Sequence, residues 1–265
     1  MKKILAVLPC YNEQEDIGEL VEKWMGISGL WREKGYELSV VCVDDKSTDA
    51  TNAEIRRLCA LYPGAVFLHE HEVNKGLGGV LLTAFRLFEK RCAGGDLLVV
   101  MDGDNTHDPV YSLDMLPLIE GGAGCVIASR YCRGSEIYGV SRLRQFMSWG
   151  ARVYYSLALG VRNVRDYTCG YRMYAYEAIR SALDTYGDSL VERRSFAYMM
   201  ESLYKLSLVG VKFAEIPFEL RYDNKKGESK MKVAKTARES LAAALKLRFS
   251  KGKWIEAQRE AFSSK

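Results

Sequence analysis

The sequence predicts an α/β fold, a mostly parallel sheet flanked by helices, on three observations. Short apolar runs alternate with amphipathic helical patterns from residue 4 onward. The runs lack polar alternation, as strands buried on both faces do. Several end abruptly in polar or acidic clusters, at the strand ends where ligands gather in such sheets.

The elements follow in order. Ile4 to Leu8 reads as a first strand that breaks at Pro9-Cys10-Tyr11-Asn12-Glu13. A helix follows with Ile17, Leu20, Val21 and Trp24 on one face. Leu38 to Val43 is a second strand, ending in Asp44-Asp45-Lys46-Ser47-Thr48-Asp49, with Ser47 or Thr48 placed to cap the next helix. Ala65 to Leu68 is a third strand; His69-Glu70-His71-Glu72 after it reads as an exposed polar strand end rather than a metal site. The loop Asn74-Lys75-Gly76-Leu77-Gly78-Gly79 precedes a helix through Leu82, Phe85 and Phe88. It lacks the third glycine of a dinucleotide fingerprint, and no Gly-Lys-Ser/Thr phosphate loop occurs.

Leu97 to Met101 is the fourth strand and delivers Asp102-Gly103-Asp104. Residues two apart on an extended chain point the same way, so both carboxylates face one small volume. Mg²⁺ is typically held by one or two carboxylates plus substrate phosphates, which makes this triplet the candidate metal site. A short helix spans Leu113 to Ile119, and a fifth strand, Cys125 to Ser129, runs into Arg130-Tyr131. From Arg130 to Arg172 there are eight Arg, no Lys and two acidic residues. Arg suits phosphate oxygens, and Arg130 and Arg144 are the candidates for a diphosphate.

Val140 to Val161 reads as an amphipathic helix whose aromatic face packs on the core. Asp166 to Arg172 forms a polar loop before an apolar helix, and Phe213 to Phe218 is an edge strand interrupted by Pro217. Lys225 to Lys230 is a basic loop, and a last helix covers about Val233 to Phe249. Residues 1–230 are expected to form a catalytic domain and 231–265 a basic amphipathic extension.

Of 265 residues, 48% are hydrophobic and 27% charged, values of a globular protein. The net charge of +4 is unevenly spread: Lys225 to Lys265 carries 12 Lys/Arg and 4 Asp/Glu, a local +8 that leaves −4 for the preceding residues. Seven Cys without repeated close spacing argue against a disulfide framework and a Cys-ligated zinc. No apolar stretch long enough to cross a membrane occurs.

Taken in order, Pro9-Cys10-Tyr11-Asn12-Glu13, Val43 to Asp49, Asn74 to Gly78, Asp102-Gly103-Asp104, Ser129-Arg130-Tyr131, Asp166 to Arg172 and Gly227-Glu228-Ser229-Lys230 resemble the motif series of family 2 glycosyltransferases. Within that family the series is most similar to the polyprenyl-phosphate sugar transferases, dolichol-phosphate mannosyltransferases among them. The resemblance implies a GT-A fold with a Rossmann-like sheet and inverting transfer of a sugar from a nucleotide donor, a GDP- or UDP-sugar. It implies Mg²⁺ or Mn²⁺ as cofactor and polyprenyl phosphate as acceptor. It places Pro9, Tyr11, Glu13, Asp44, Asp45, Lys75 and Asp102 around the nucleotide, and Asp102 and Asp104 at the metal. Arg130, Arg144, Arg172 and Lys230 would bind phosphate, with Arg172 confined to orienting.

Two positions depart from the pattern. Thr106 stands where some relatives supply a metal ligand, and either Arg221 or Lys225 occupies the place of a loop arginine. A hydroxyl acceptor is the alternative; it requires a carboxylate to take the proton, for which Asp166 is the candidate. A noncatalytic nucleotide-sugar binding module is a third reading. Asp104, Asp166 and Arg130 are therefore the expected catalytic residues. Clustered Lys/Arg are attracted to anionic lipid, so a cytoplasmic protein in peripheral contact with the inner face of the membrane is expected. Nucleic acid is not an expected partner.

Overall fold

The structure, a computed structural model, describes residues 1–224, 226, 233–250 and 254. In the first half, strands and helices alternate: β1 (Lys2–Cys10), α1 (Ile17–Gly26), α2 (Ser28–Glu33), β2 (Tyr36–Asp44), α3 (Thr51–Leu61), β3 (Val66–Glu70), α4 (Gly76–Arg91) and β4 (Leu97–Val100). Then come α5 (Tyr111–Glu120), β5 (Cys125–Ala128), β6 (Glu136–Tyr138), α6 (Arg142–Leu159), β7 (Arg172–Ala175) and α7 (Tyr176–Tyr186). The remainder is α8 (Tyr198–Leu208), β8 (Phe213–Ile216), β9 (Glu219–Arg221) and α9 (Val233–Phe249).

Seven strands form one sheet in the order β3-β2-β1-β4-β7-β5-β8, and β6 pairs with β9 beside it. All pairings in the large sheet are parallel except those of β7, which runs antiparallel to both β4 and β5. The apolar runs are buried as expected: Ile4 to Leu8, Val40 to Val43 and Leu97 to Met101 are all nearly inaccessible. From β1 the chain steps outward to β2 and β3, then returns to place β4 on the other side of β1. That reversal opens a crevice at the carboxyl ends of β1 and β4, the place where doubly wound sheets bind ligands. Asn12, Lys46 and Asn105, just beyond β1, β2 and β4, have positive φ, so the chain turns sharply at all three ends.

Four local expectations are corrected. The segment after Asp166 enters a central strand, β7, rather than a helix directly. Its start is the buried Arg172, which masks the apolar run. Neither Ser47 nor Thr48 caps α3, whose N-cap is Ala50; Asp49 instead binds its first residue, its Oδ1 accepting from the Thr51 amide (3.0 Å) and hydroxyl (2.6 Å). Ser47 and Thr48 instead bond Asn12, tying the β2 end to the β1 end. The glycines of Gly76-Leu77-Gly78-Gly79 form the first turn of α4, not a loop before it.

The fourth correction concerns α6. Tyr155 and Leu159 pack inward, but Leu143, Phe146, Trp149 and Leu157 are 51–79% exposed. α9 packs on α6 and α8, and its Ala243, Ala244 and Leu247 join the same core as the sheet. Among the described residues, no helix is long and apolar enough to cross a membrane.

Candidate active site

Two cavities meet at the crevice. The first, about 370 Å³, is lined by Pro9, Tyr11 and Glu13 after β1, by Asp45 after β2, and by Asp102, Gly103 and Asp104 after β4. Gly103 is dictated by closeness: a Cβ there would lie 2.4 Å from the Pro9 carbonyl. At Gly170 a Cβ would lie 2.9 Å from Asp102 Oδ1, so that glycine lets the Asp166–Arg172 loop close over the triplet.

Asp45 is held from three directions. Its Oδ1 accepts from the Lys75 amide (2.8 Å) and His71 Nδ1 (2.7 Å), and its Oδ2 from the Gly76 amide (2.8 Å). His71 Nε2 lies 2.9 Å from Thr83 Oγ1. His71 is buried, which corrects the expectation of an exposed strand end: this histidine orients Asp45.

Asp104 Oδ1 accepts from Thr106 Oγ1 at 2.7 Å, and Thr106 is buried outside the first cavity. This hydrogen bond fixes the Asp104 carboxylate, and Thr106 itself lines the second cavity beside Asp102. Among the described residues no group of three or more His, Cys, Asp or Glu could hold a metal ion. The protein offers two carboxylates facing one cavity. Mg²⁺ accepts such a set when diphosphate and water complete the shell, and Mn²⁺ shares its preference for oxygen. Asp102 and Asp104 thus fit the cation.

The second cavity, about 220 Å³, shares Asp102, Phe196 and Tyr222 with the first. Arg130 and Arg144 line it, and Met147, Ala151 and Tyr155 of α6 continue its wall. Arg144 lies over the Tyr222 ring, 5.0 Å from its centroid. Arg130 forks onto Asp166, with Nε 2.8 Å from Oδ2 and Nη2 2.7 Å from Oδ1. Burial opposes its charge, but Asp166 outweighs it and raises the Arg130 pKa further.

The structure places the other expected site residues as follows. Asp166 is fully buried and accepts from the Arg130 side chain and from the amides of Arg130, Thr168 and Cys169. Burial alone would raise its pKa; Arg130 and these hydrogen bonds lower it instead. A carboxylate so engaged is a poor proton acceptor, and its two oxygens hold the Arg130 guanidinium in place. Arg172 is 2% exposed and donates to the carbonyls of Cys169, Met199 and Tyr167 at 3.0–3.1 Å. It stitches β7 to its neighbours and lines neither cavity.

Asp44 accepts from the Ser47 amide and Asn52, and Lys75 contributes its amide to Asp45; neither lines the first cavity. Arg221 pairs with Asp223 outside both cavities. Lys225 and Lys230 lie outside the described residues. Arg194, Ser195, Phe196 and Tyr222 line the first cavity and carried no recognisable motif.

The model of the family "Glycosyl transferase family 2" matches residues 5–182, two thirds of the chain. The chain belongs to glycosyl transferase family 2. It is thus a glycosyltransferase, and its mostly parallel sheet is that of the GT-A fold. An undecaprenyl-phosphate mannosyltransferase from Micrococcus luteus is 30% identical over 86% of this chain and 87% of its own length. A polyprenol monophosphomannose synthase from Mycolicibacterium smegmatis is 28% identical over 87% of this chain and 81% of its own. A dolichol-phosphate mannosyltransferase from Pyrococcus furiosus is 30% identical over 87% of this chain, which spans 59% of that enzyme.

Among solved structures, glucosyl-3-phosphoglycerate synthase from Mycobacterium tuberculosis, with Mn²⁺, UDP and phosphoglyceric acid, superposes with a TM-score of 0.64. Identity is 18%, over 93% of this chain and 78% of that one, a likeness of fold. The same enzyme with Mg²⁺ and UDP gives 0.62, at 18% identity over 92% of this chain and 79% of that one.

Proposed function

We propose that this glycosyltransferase moves a hexose from a GDP- or UDP-sugar to a polyprenyl phosphate, with inversion at the anomeric carbon. One observation carries the reading: a cavity walled by carboxylates and a cavity walled by arginines meet at Asp102. The first suits a nucleotide sugar whose diphosphate arrives with a cation; the second suits a bare anion. The names of these three relatives, each a polyprenyl-type mannosyltransferase or synthase, support the lipid acceptor and suggest mannose as the sugar.

Asp102 and Asp104 would hold Mg²⁺ or Mn²⁺, whose charge stabilises the departing nucleoside diphosphate. The residues of the chain do the rest. Arg130, fixed by Asp166, and Arg144, laid over Tyr222, orient the acceptor phosphate toward the junction of the cavities. A phosphate monoester with a second pKa of ~6 is largely ionised at neutral pH and needs no general base. The engagement of Asp166 supports this over a hydroxyl acceptor, since that reading drew its base from Asp166.

The acceptor's lipid gives α6 its purpose. Its inward residues line the second cavity while Phe146 and Trp149 stand exposed beside Arg142 and Arg152. An apolar face edged with cations suits the interface of an anionic bilayer. We place the enzyme peripherally there, on the cytoplasmic side. Seven unbridged cysteines support a reducing compartment.

The test incubates the full chain with labelled GDP-mannose or UDP-glucose, undecaprenyl phosphate and Mg²⁺ or Mn²⁺. Label is expected in the lipid extract, dependent on the cation. Label passing only to water-soluble hydroxyl acceptors would overturn the proposal.

A further inference from the structure

The segment Glu192–Phe196 carries a feature that no motif marked. Arg194 is the one cation among the described residues lining the first cavity, whose wall also holds Glu13, Asp45, Asp102 and Asp104. It is exposed, and among the described residues it makes no ion pair. A nucleoside diphosphate entering among four carboxylates meets repulsion; a divalent cation offsets two of those charges, and Arg194 a third.

The backbone carrying Arg194 is fixed from two sides. On one, the first turn of α4 seats it: a Cβ at Gly78 would lie 1.8 Å from the Arg193 carbonyl, and one at Gly76 2.8 Å from the Arg194 carbonyl. The glycines of this turn thus make room for a loop rather than for a dinucleotide. On the other side, Glu201 Oε2 accepts from the amides of Glu192 and Arg193, both at 2.9 Å. Lys205 Nζ bonds Glu201 Oε1 (2.9 Å), Glu192 Oε2 (3.1 Å) and the Ser189 carbonyl. Glu201 and Lys205 are 2% and 0% exposed, and the Trp254 ring lies 4.0 Å from Lys205 Nζ. A buried ion pair is a poor source of stability but a good specifier of geometry when its hydrogen bonds are complete.

We propose that Arg194 is a ligand for the donor's diphosphate, with Glu201 and Lys205 as positioning residues that fix the segment bearing it. The inference rests on the reading of the first cavity as the donor site. A seated backbone spares the cost of ordering the loop on binding, and the planar fork of arginine matches phosphate oxygens.

The experiment measures binding of UDP and GDP to the full chain, with Mg²⁺ and with chelator, beside uridine and guanosine as phosphate-free controls. Arg194→Ala is expected to weaken the diphosphates on the order of tenfold, leaving nucleoside affinity and melting temperature unchanged. Arg194→Lys should restore part of the loss. Glu201→Gln should raise the KM for the sugar donor more than that for the acceptor; where it fails to fold, the Arg194 pair still decides. Unchanged diphosphate affinity in Arg194→Ala overturns this inference alone. Wild-type protein that binds neither diphosphate overturns the donor-site reading and this inference with it.

Discussion

Replacing Asp166 by Asn separates a base from a positioning residue. In the folded protein, Asp166 Oδ2 accepts from the Arg130 amide (3.1 Å) and Nε (2.8 Å), while Oδ1 accepts from Arg130 Nη2 and the amides of Thr168 and Cys169. An Asn that keeps its oxygen on the Thr168 side turns an NH₂ group toward two N–H donors. Losing two hydrogen bonds, one of them to a charged group, and leaving Arg130 without its counter-ion costs roughly 3–5 kcal/mol. For a chain of this size that lowers the melting temperature by roughly 10 °C. Calorimetry measures the shift, and steady-state kinetics should show a raised KM for the acceptor together with a lowered kcat, since Arg130 loses its fixed orientation. Because Asp166 titrates below the usual carboxylate range, its protonation should leave no mark on the wild-type rate near neutrality. The reasoning fails if Asp166→Asn melts like the wild type and loses kcat at an unchanged acceptor KM, which is the signature of a missing base.

Burial lowers the His107 pKa to about 4, so the folded protein keeps this imidazole neutral while the unfolded chain protonates it. Its contribution is complete above an unfolded pKa of ~6.5 and drains away toward pH 4, about 2 kcal/mol of it between pH 7 and 5. His107→Asn should flatten that part of the stability profile by denaturant titration; an unaltered profile would contradict it. At α6, Phe146→Ser and Trp149→Ser each withdraw a side chain whose burial in a bilayer is worth ~1.5–3 kcal/mol, so each should weaken co-sedimentation with anionic vesicles roughly tenfold or more. Retention on vesicles equal to wild type would remove the membrane role of that face.

The parallel half of the fold was readable because strands buried on both faces become uninterrupted apolar runs, and β1, β2 and β4 are such strands. The rim of the candidate site was readable for the same reason: where Val43 gives way to Asp44-Asp45, or Met101 to Asp102, the chain is leaving the core. β7 was not readable. Its first residue is an arginine, buried only because three carbonyls from Tyr167, Cys169 and Met199 converge on it, and no local pattern announces such a convergence. The pairing of Asp166 was equally hidden, since its partner lies 36 residues away and pairing decides whether a carboxylate is a base or an anchor. The α6 pattern specified an apolar face without specifying what covers it.

Thr106 sharpens the distinction between residue type and role. Its hydroxyl donates to Asp104, so its oxygen is left to accept, and His107 Nδ1 lies 3.1 Å away. With the imidazole neutral, that geometry calls for the tautomer protonated at Nδ1, with Nε2 toward Cys169 Sγ at 3.9 Å. His107 itself is stacked on Phe218, 5.3 Å between centroids, and edged by Tyr171. Asp104 is therefore aimed by a hydrogen-bonded chain anchored in an aromatic wall, which does for this carboxylate what His71 does for Asp45. Thr106 thus holds the carboxylate of Asp104 by its hydroxyl. The proposed cation would then draw the rest of its shell from diphosphate and water, so its affinity should depend on the nucleotide more than on the empty protein.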